Sequence, residues 1–191
     1  MKHHIIYIPG LGDYYNGFRR VLLSTWRLYG VTVKYMPMDW YQGGGYDQRE
    51  ARIKQAVIQA QQQGRTVSLV SESAGGSIAL NVFSEDKSIY RLVSICGVNS
   101  STTPISPRIY ARSPAFQAAV EKLAVSLPTI TDERRREVVV LTSLYDGTVK
   151  PSDSALRGAR AHRIFAVGHI VAITVCLLFY GAWVTRFITR R

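Results

Sequence analysis

Short apolar runs alternate with amphipathic stretches of helical length along most of the chain, and this alternation constrains the fold more than any other feature of the sequence. Residues 4–8 are apolar and end at Pro9-Gly10, as a buried strand does. Residues 16–29 carry Phe18, Val21, Leu22, Trp26 and Leu28 at helical spacing, with Arg19, Arg20 and Arg27 elsewhere, and Gly30 supplies a stop. Further strands are predicted at 31–36, 66–70, 90–96, 137–142 and 162–167, and further helices at 47–63, 74–83, 114–126, 152–160 and 170–188. Strands separated by helices form βαβ units. The expectation is therefore an α/β fold with about six mainly parallel strands and helices on both faces. One stretch departs from the pattern. Residues 97–135 contain Pro104, Pro107, Pro114 and Pro128 and a single convincing helix. They read as an insertion above the sheet, a small cap or lid on one domain spanning 1–191.

The most informative segment is T-V-S-L-V-S-E-S-A-G-G, residues 66–76, where a strand runs directly into a turn and a helix. A Ser at the centre of such a turn, with small residues two before and two after, has the geometry of a nucleophile elbow. The small flanking residues let helix and strand approach closely. Ser73 satisfies the pattern, with Ser71 in the place usually held by Gly and Gly75 on the other side. Ser71 as nucleophile would put Leu69 in the small position, and Ser77 would lie well inside the helix.

An acyl-transfer site also needs backbone N–H donors for a developing oxyanion. The residue after the nucleophile, Ala74, supplies one. The loop Pro9-Gly10-Leu11-Gly12-Asp13 after the first strand supplies the other, with Leu11 the expected donor and Gly10 and Gly12 allowing substrate to approach the backbone. A nucleotide-binding reading of this loop is weaker, because Tyr15 stands where G-x-G-x-x-G needs its third Gly and no P-loop Lys follows. Four histidines are candidates for the base. His3, His4 and His162 lie at the starts of strands, whereas His169 follows the C-terminal end of the last one. Asp146, in the loop after the fifth strand, is placed to orient that imidazole. Asp153 is the alternative, although its position near a helix start accounts for it as a cap.

The chain order Ser73, Asp146, His169, each beyond the C-terminal end of a parallel strand, resembles the α/β-hydrolase fold superfamily of serine hydrolases. The resemblance covers nearly the whole chain and rests on the PGLGD loop, the S-E-S-A-G-G turn, the L-Y-D-G-T-V-K-P loop and the V-G-H-I histidine. It implies strand order 2-1-3-4-5-6, in a minimal version without the two further strands that open larger members. It also implies hydrolysis of carboxylic ester-type or thioester bonds through an acyl-enzyme, with no metal and no cofactor. A lipase or thioesterase at a membrane, and a catalytically inactive hydrolase-like binding module, are the alternatives.

Other features bound the partners. Trp40 and Tyr41 follow the second strand on the side of the expected site and could line a substrate pocket. Tyr110 and Phe116 could contact substrate from the cap, and the run Arg134-Arg135-Arg136 reads as a solvated face or an anion site. Cys96 and Cys176 sit in apolar runs and read as buried small hydrophobes. Only four apolar residues precede Pro9, too few for a signal-peptide core, so a cytoplasmic location is expected, or one peripheral to the inner face of a membrane.

Residues 170–185 are uncharged and apolar on nearly every side, which marks a helix that is either buried or in lipid. Docking on the sheet is favoured; contact with a membrane surface, or a homodimer through helix 170–188, is the alternative. A true membrane span would draw His169 away from Ser73. The net charge is +11, with 24 Lys and Arg against 13 Asp and Glu, and the chain ends in Arg190-Arg191. The arginines are scattered over several elements and form no recognition motif, so a small ester or acyl substrate is expected and nucleic acid is not.

Overall fold

A computed structural model describes residues 2–13 and 16–190; Met1, Tyr14, Tyr15 and Arg191 lie outside the described residues. Six strands run in the order β2-β1-β3-β4-β5-β6, and every neighbouring pair is parallel. They are β1 (His3–Ile8), β2 (Val31–Tyr35), β3 (Thr66–Glu72), β4 (Leu92–Ile95), β5 (Val138–Tyr145) and β6 (Arg160–Val167). The central strands are apolar on both faces because helices cover both. Helices α2 (Tyr46–Gln62), α3 (Gly75–Glu85) and α5 (Pro114–Thr129) enclose one core, built on Ile6, Leu69, Ile78, Phe83 and Leu123. Helices α1 (Asn16–Ser24), α8 (His169–Phe179) and α9 (Gly181–Thr189) enclose the other, built on Ile5, Val70, Trp26, Val139 and Ile188.

The expected cap is in large part something else. Residues 97–135 are the crossover from β4 to β5, and α5 lies against α3, with Phe116, Ala119, Val120 and Leu123 in the core. Short helices α4 (Pro107–Arg112) and α6 (Asp132–Arg135) flank it. Pro107 and Pro114 fall at helix starts, where a missing N–H costs nothing, and Pro128 lies one residue from the end of α5, so the helical part of this segment follows the same βαβ rule as the rest. Two of the three arginines in the run are anchored rather than solvated, and Arg136 is exposed. Arg134 donates to the Ile89 carbonyl at 2.6 Å and lies over the Phe83 ring, while Arg135 donates to the carbonyls of Leu127 and Ile130.

Two element boundaries also move. The helix expected over 152–160 shortens to α7 (Pro151–Ser154), and Arg160 opens β6 instead. The helix expected over 170–188 breaks at Tyr180 into α8 and α9, bent by 67°. The cause is Trp26, whose indole N–H donates to the Leu177 carbonyl at 3.0 Å. That carbonyl would otherwise accept from the amide of Gly181, four residues on. A side chain inserted into the ladder kinks a helix, and a Cβ at Gly181 would lie 2.6 Å from the same indole nitrogen. No single helix among the described residues is long and apolar enough to cross a membrane. Ala172, Ile173, Cys176 and Leu177 of α8 are buried, and Ile170, Val171, Leu178 and Phe179 are exposed.

Candidate functional site

Strand β3 ends at Glu72, and the chain turns sharply into α3 through Ser73 and Ala74. Ser73 takes a φ of +51°, a left-handed conformation that is costly for a residue with a Cβ and that holds its hydroxyl clear of the sheet. The turn is closed by Gly76 N–H donating to the Ser73 carbonyl at 2.9 Å. Neighbouring small residues are required by contact. A Cβ on Gly75 would meet the carbonyl oxygens of Ile8 and Pro9 at 2.5 and 2.8 Å, and one on Gly10 would lie 2.6 Å from the Ser73 Cβ. Gly12 is under no such constraint, its nearest neighbour being an Arg19 nitrogen at 3.7 Å. Ser71 and Ser77 are buried and bonded to backbone carbonyls.

His169 opens α8 directly after the end of β6, beside the end of β5 that leads to Asp146. A register irregularity between Ser143 and Tyr145 interrupts the β5–β6 pairing just before the Asp146 loop. His169 Nε2 lies 2.9 Å from Ser73 Oγ, and Nδ1 lies 2.7 Å from Asp146 Oδ2. The other carboxylate oxygen of Asp146 accepts the amides of Thr148 and Val149 at 2.8 and 2.9 Å, which fixes its plane. Asp146 is thus the partner of the imidazole. Asp153 sits in the first turn of α7, and the cap position there is held by Lys150.

The backbone amides around Ser73 differ in whether they have a protein acceptor. The Gly10 amide donates to Glu72 Oε1 at 3.3 Å and is committed. Among the described residues, the Leu11 amide in the same loop and the Ala74 amide at the head of α3 donate to no protein oxygen. A cavity of about 490 Å³ opens beside Ser73 and His169, walled by Phe18 of α1 and by Ile170, Ile173 and Leu177 of α8.

Trp40 and Tyr41 do not line this cavity. Trp40 is buried, its indole donates to the Pro9 carbonyl at 3.0 Å, and its ring meets Phe116 edge-on. It braces the Gly10 loop from behind. Tyr41 faces solvent under the Arg112 guanidinium. The glycine-rich loop beside them is held by buried Arg49, which donates to the carbonyls of Met38, Gln42 and Gly45. Tyr110 and Phe116 pack on each other, away from the cavity.

Sequence reasoning missed the group beneath the turn. Glu72 is fully buried. Its carboxylate pairs with Arg19 Nη2 at 2.7 Å and accepts from the Tyr7 hydroxyl as well as from the Gly10 amide. Arg19 also donates to the Gly12 carbonyl at 2.9 Å, so one ion pair clasps both ends of the Gly10–Gly12 loop. Burial, followed by the adjacent carboxylate, pushes the Tyr7 phenol well above its ordinary range, so it stays a donor. Arg19 offsets the buried Glu72 charge beneath the Ser73 turn. The signal was present as a lone Glu ending an apolar strand, but its partner lies 53 residues earlier on an amphipathic helix.

Cys96, Asp146 and His169 bring one potential ligand atom each within 4.8 Å of one another. The donor set does not suit a metal. Burial and the neighbouring Asp146 push the Cys96 thiol up to about 12, so it remains protonated, and both imidazole nitrogens are engaged.

No protein-family model matches the sequence, and no curated protein sequence does. Solved structures match well. A carboxyl esterase from the mycorrhizal fungus Tuber melanosporum is 16% identical with a TM-score of 0.68, over 98% of this chain and 79% of that one. The esterase domain of a Rhodothermus marinus protein is 14% identical with a TM-score of 0.69, over 96% and 87%. This chain has the α/β-hydrolase fold. A monoacylglycerol lipase from Paleococcus ferrophilus is a further similar structure, 12% identical with a TM-score of 0.67, over 87% and 85%. In the hydrolase fold the C-terminal strand ends carry the site, and Ser73, Asp146 and His169 all lie there.

Proposed function

We propose that this α/β-hydrolase-fold chain is a serine hydrolase that cleaves carboxylic ester-type or thioester bonds through an acyl-enzyme. The observation that carries the reading is the continuous hydrogen-bonded chain from Asp146 through His169 to a Ser73 hydroxyl held out on a strained turn. His169 Nε2 takes the Ser73 proton as Oγ attacks the acyl carbonyl. The carbonyl electron pair moves onto oxygen, where the Leu11 and Ala74 amides stabilise it. The tetrahedral species expels the alcohol or thiol, which receives the proton from His169. Water, deprotonated by His169, then attacks the acyl-enzyme and releases the carboxylic acid, and Ser73 regains its proton. Asp146 holds the imidazole in the required tautomer and stabilises the imidazolium.

The apolar wall of Phe18, Ile173 and Leu177 supports an acyl group of hydrocarbon character. Similar structures, a carboxyl esterase and a monoacylglycerol lipase among them, accord with ester chemistry. Labelling by a fluorophosphonate probe, combined with p-nitrophenyl esters of increasing chain length, tests the proposal. The wild type is expected to label, and kcat/KM to rise with chain length until the cavity is filled. Ser73→Ala is expected to abolish labelling and to lower kcat by about 10⁴-fold or more. A folded wild type that neither labels nor turns over any of the esters overturns the proposal in favour of an inert binding module.

A further inference from the structure

A second cavity, of about 330 Å³, lies at the opposite end of the strands. It is bordered by Arg91 just before β4, Arg160 at the start of β6, and Arg186 and Arg190 at the C-terminal end of α9. Among the described residues, no carboxylate borders it. Among the described residues, the arginines in ion pairs are Arg19, Arg52 and Arg134, so none of these four has an acidic partner. The α9 C-terminus offers only about half a negative charge. That leaves more than three positive charges facing one cavity without a counter-charge.

Two of these arginines are also held in place. Arg91 donates to the Phe187 carbonyl, and its guanidinium lies 4.7 Å from the ring centroids of both Tyr90 and Phe187. Arg160 lies over the other part of the same aromatic cluster, 5.8 Å from the Phe187 centroid. Trp183 stacks on Phe187 and meets His162 edge-on at 4.7 Å, giving the cavity an aromatic side wall. Positioned guanidiniums present forked donors to an oxyanion.

We propose that this cavity binds the phosphate group of a phosphorylated ligand, whose remaining body lies against Trp183. A phosphate suits the site better than a carboxylate, since it brings nearly two negative charges and three acceptor oxygens to several guanidiniums at once. The site is independent of the Ser73 chemistry, being built from the other ends of the same strands.

Calorimetric titration of the full chain with sodium pyrophosphate tests the site, with flotation on phosphatidylcholine vesicles containing phosphatidic acid as a parallel arm. Saturable one-to-one binding of pyrophosphate, or phosphatidic-acid-dependent flotation, is expected. The first arm identifies a free phosphorylated molecule as the source and the second a lipid headgroup. Arg160 and Arg186 are exposed, so the R160Q/R186Q double variant is expected to fold, and to weaken whichever interaction is seen by about tenfold or more. If the pair does not fold, R160E alone carries the same expectation. Pyrophosphate is also expected to change the tryptophan fluorescence of the wild type but not of Trp183→Phe. Absence of binding in both arms, or unchanged binding in the variants, overturns the proposal.

Discussion

At the C-terminal ends of the strands Arg19 meets the buried Glu72 at 2.7 Å, whereas at the N-terminal ends Arg91, Arg160, Arg186 and Arg190 border one cavity without a carboxylate. Both arrangements put guanidiniums against aromatic and apolar walls, yet their physics differs. Glu72 is fully buried, and an isolated carboxylate there would face a large desolvation cost, so its counter-charge is a structural necessity. The four arginines at the other end reach solvent, where water and salt screen their repulsion. Compensated charge under Ser73 holds a loop and leaves the site near neutrality. Uncompensated charge at the far end is tolerated, and it remains available to an anion. The +11 net charge is therefore unevenly used.

Removing Arg19 should expose this contrast most strongly. Arg19→Met is expected to cost about 3–5 kcal/mol in urea unfolding, because it strands a buried carboxylate. Adding Glu72→Gln in the same chain is expected to recover much of the loss; equal stability of the single and double variants would show that the pair is not coupled.

The bend between α8 and α9 joins the two regions, since α8 walls the Ser73 cavity and α9 carries Arg186. Gly181→Ala forces a methyl group into the Trp26 indole and is expected to cost about 1–3 kcal/mol by calorimetry, with changes at both cavities.

His4 sharpens the comparison through pH. Burial, then Arg65 and Lys34, lower its pKa from 6.5 to about 4, and its Nδ1 lies 2.7 Å from Thr32 Oγ1. The unfolded chain binds more protons between those two values, so stability is full above pH 6.5 and falls as pH drops towards 4. The expected loss is about 1–3 kcal/mol, and His4→Gln should flatten that part of the profile.

The smallest effect is expected from Arg160→Gln, whose stability in the absence of anion should stay within about 0.5 kcal/mol of wild type or rise slightly. A large loss would mean that Arg160 is a structural arginine like Arg19.

The alternation of elements and the Ser73 turn were legible because each is written in neighbours a few residues apart, whereas the order of the parallel strands came only from the family resemblance. Strand and helix periods are local, and the small residues flanking Ser73 are required by one turn and one contact. The choice of Leu11 over Gly10 as a free amide was legible less securely, because it depends on the Glu72 carboxylate. Other features had no local signature. Trp40 follows a strand end as a pocket residue would, but its ring fits the core because Phe116 of α5 and the Pro9 carbonyl meet it there.

By itself, then, the sequence determined an α/β layering and a serine, an aspartate and a histidine at the same ends of the strands. Tertiary structure decided how charges pair and where the last helix breaks. Trp26 and Leu177 are 151 residues apart, and nothing in either segment announces that one will take the other's carbonyl. The reason is physical: hydrophobic period is set by which face is buried, but an ion pair or an intercepted hydrogen bond exists only once distant surfaces have met.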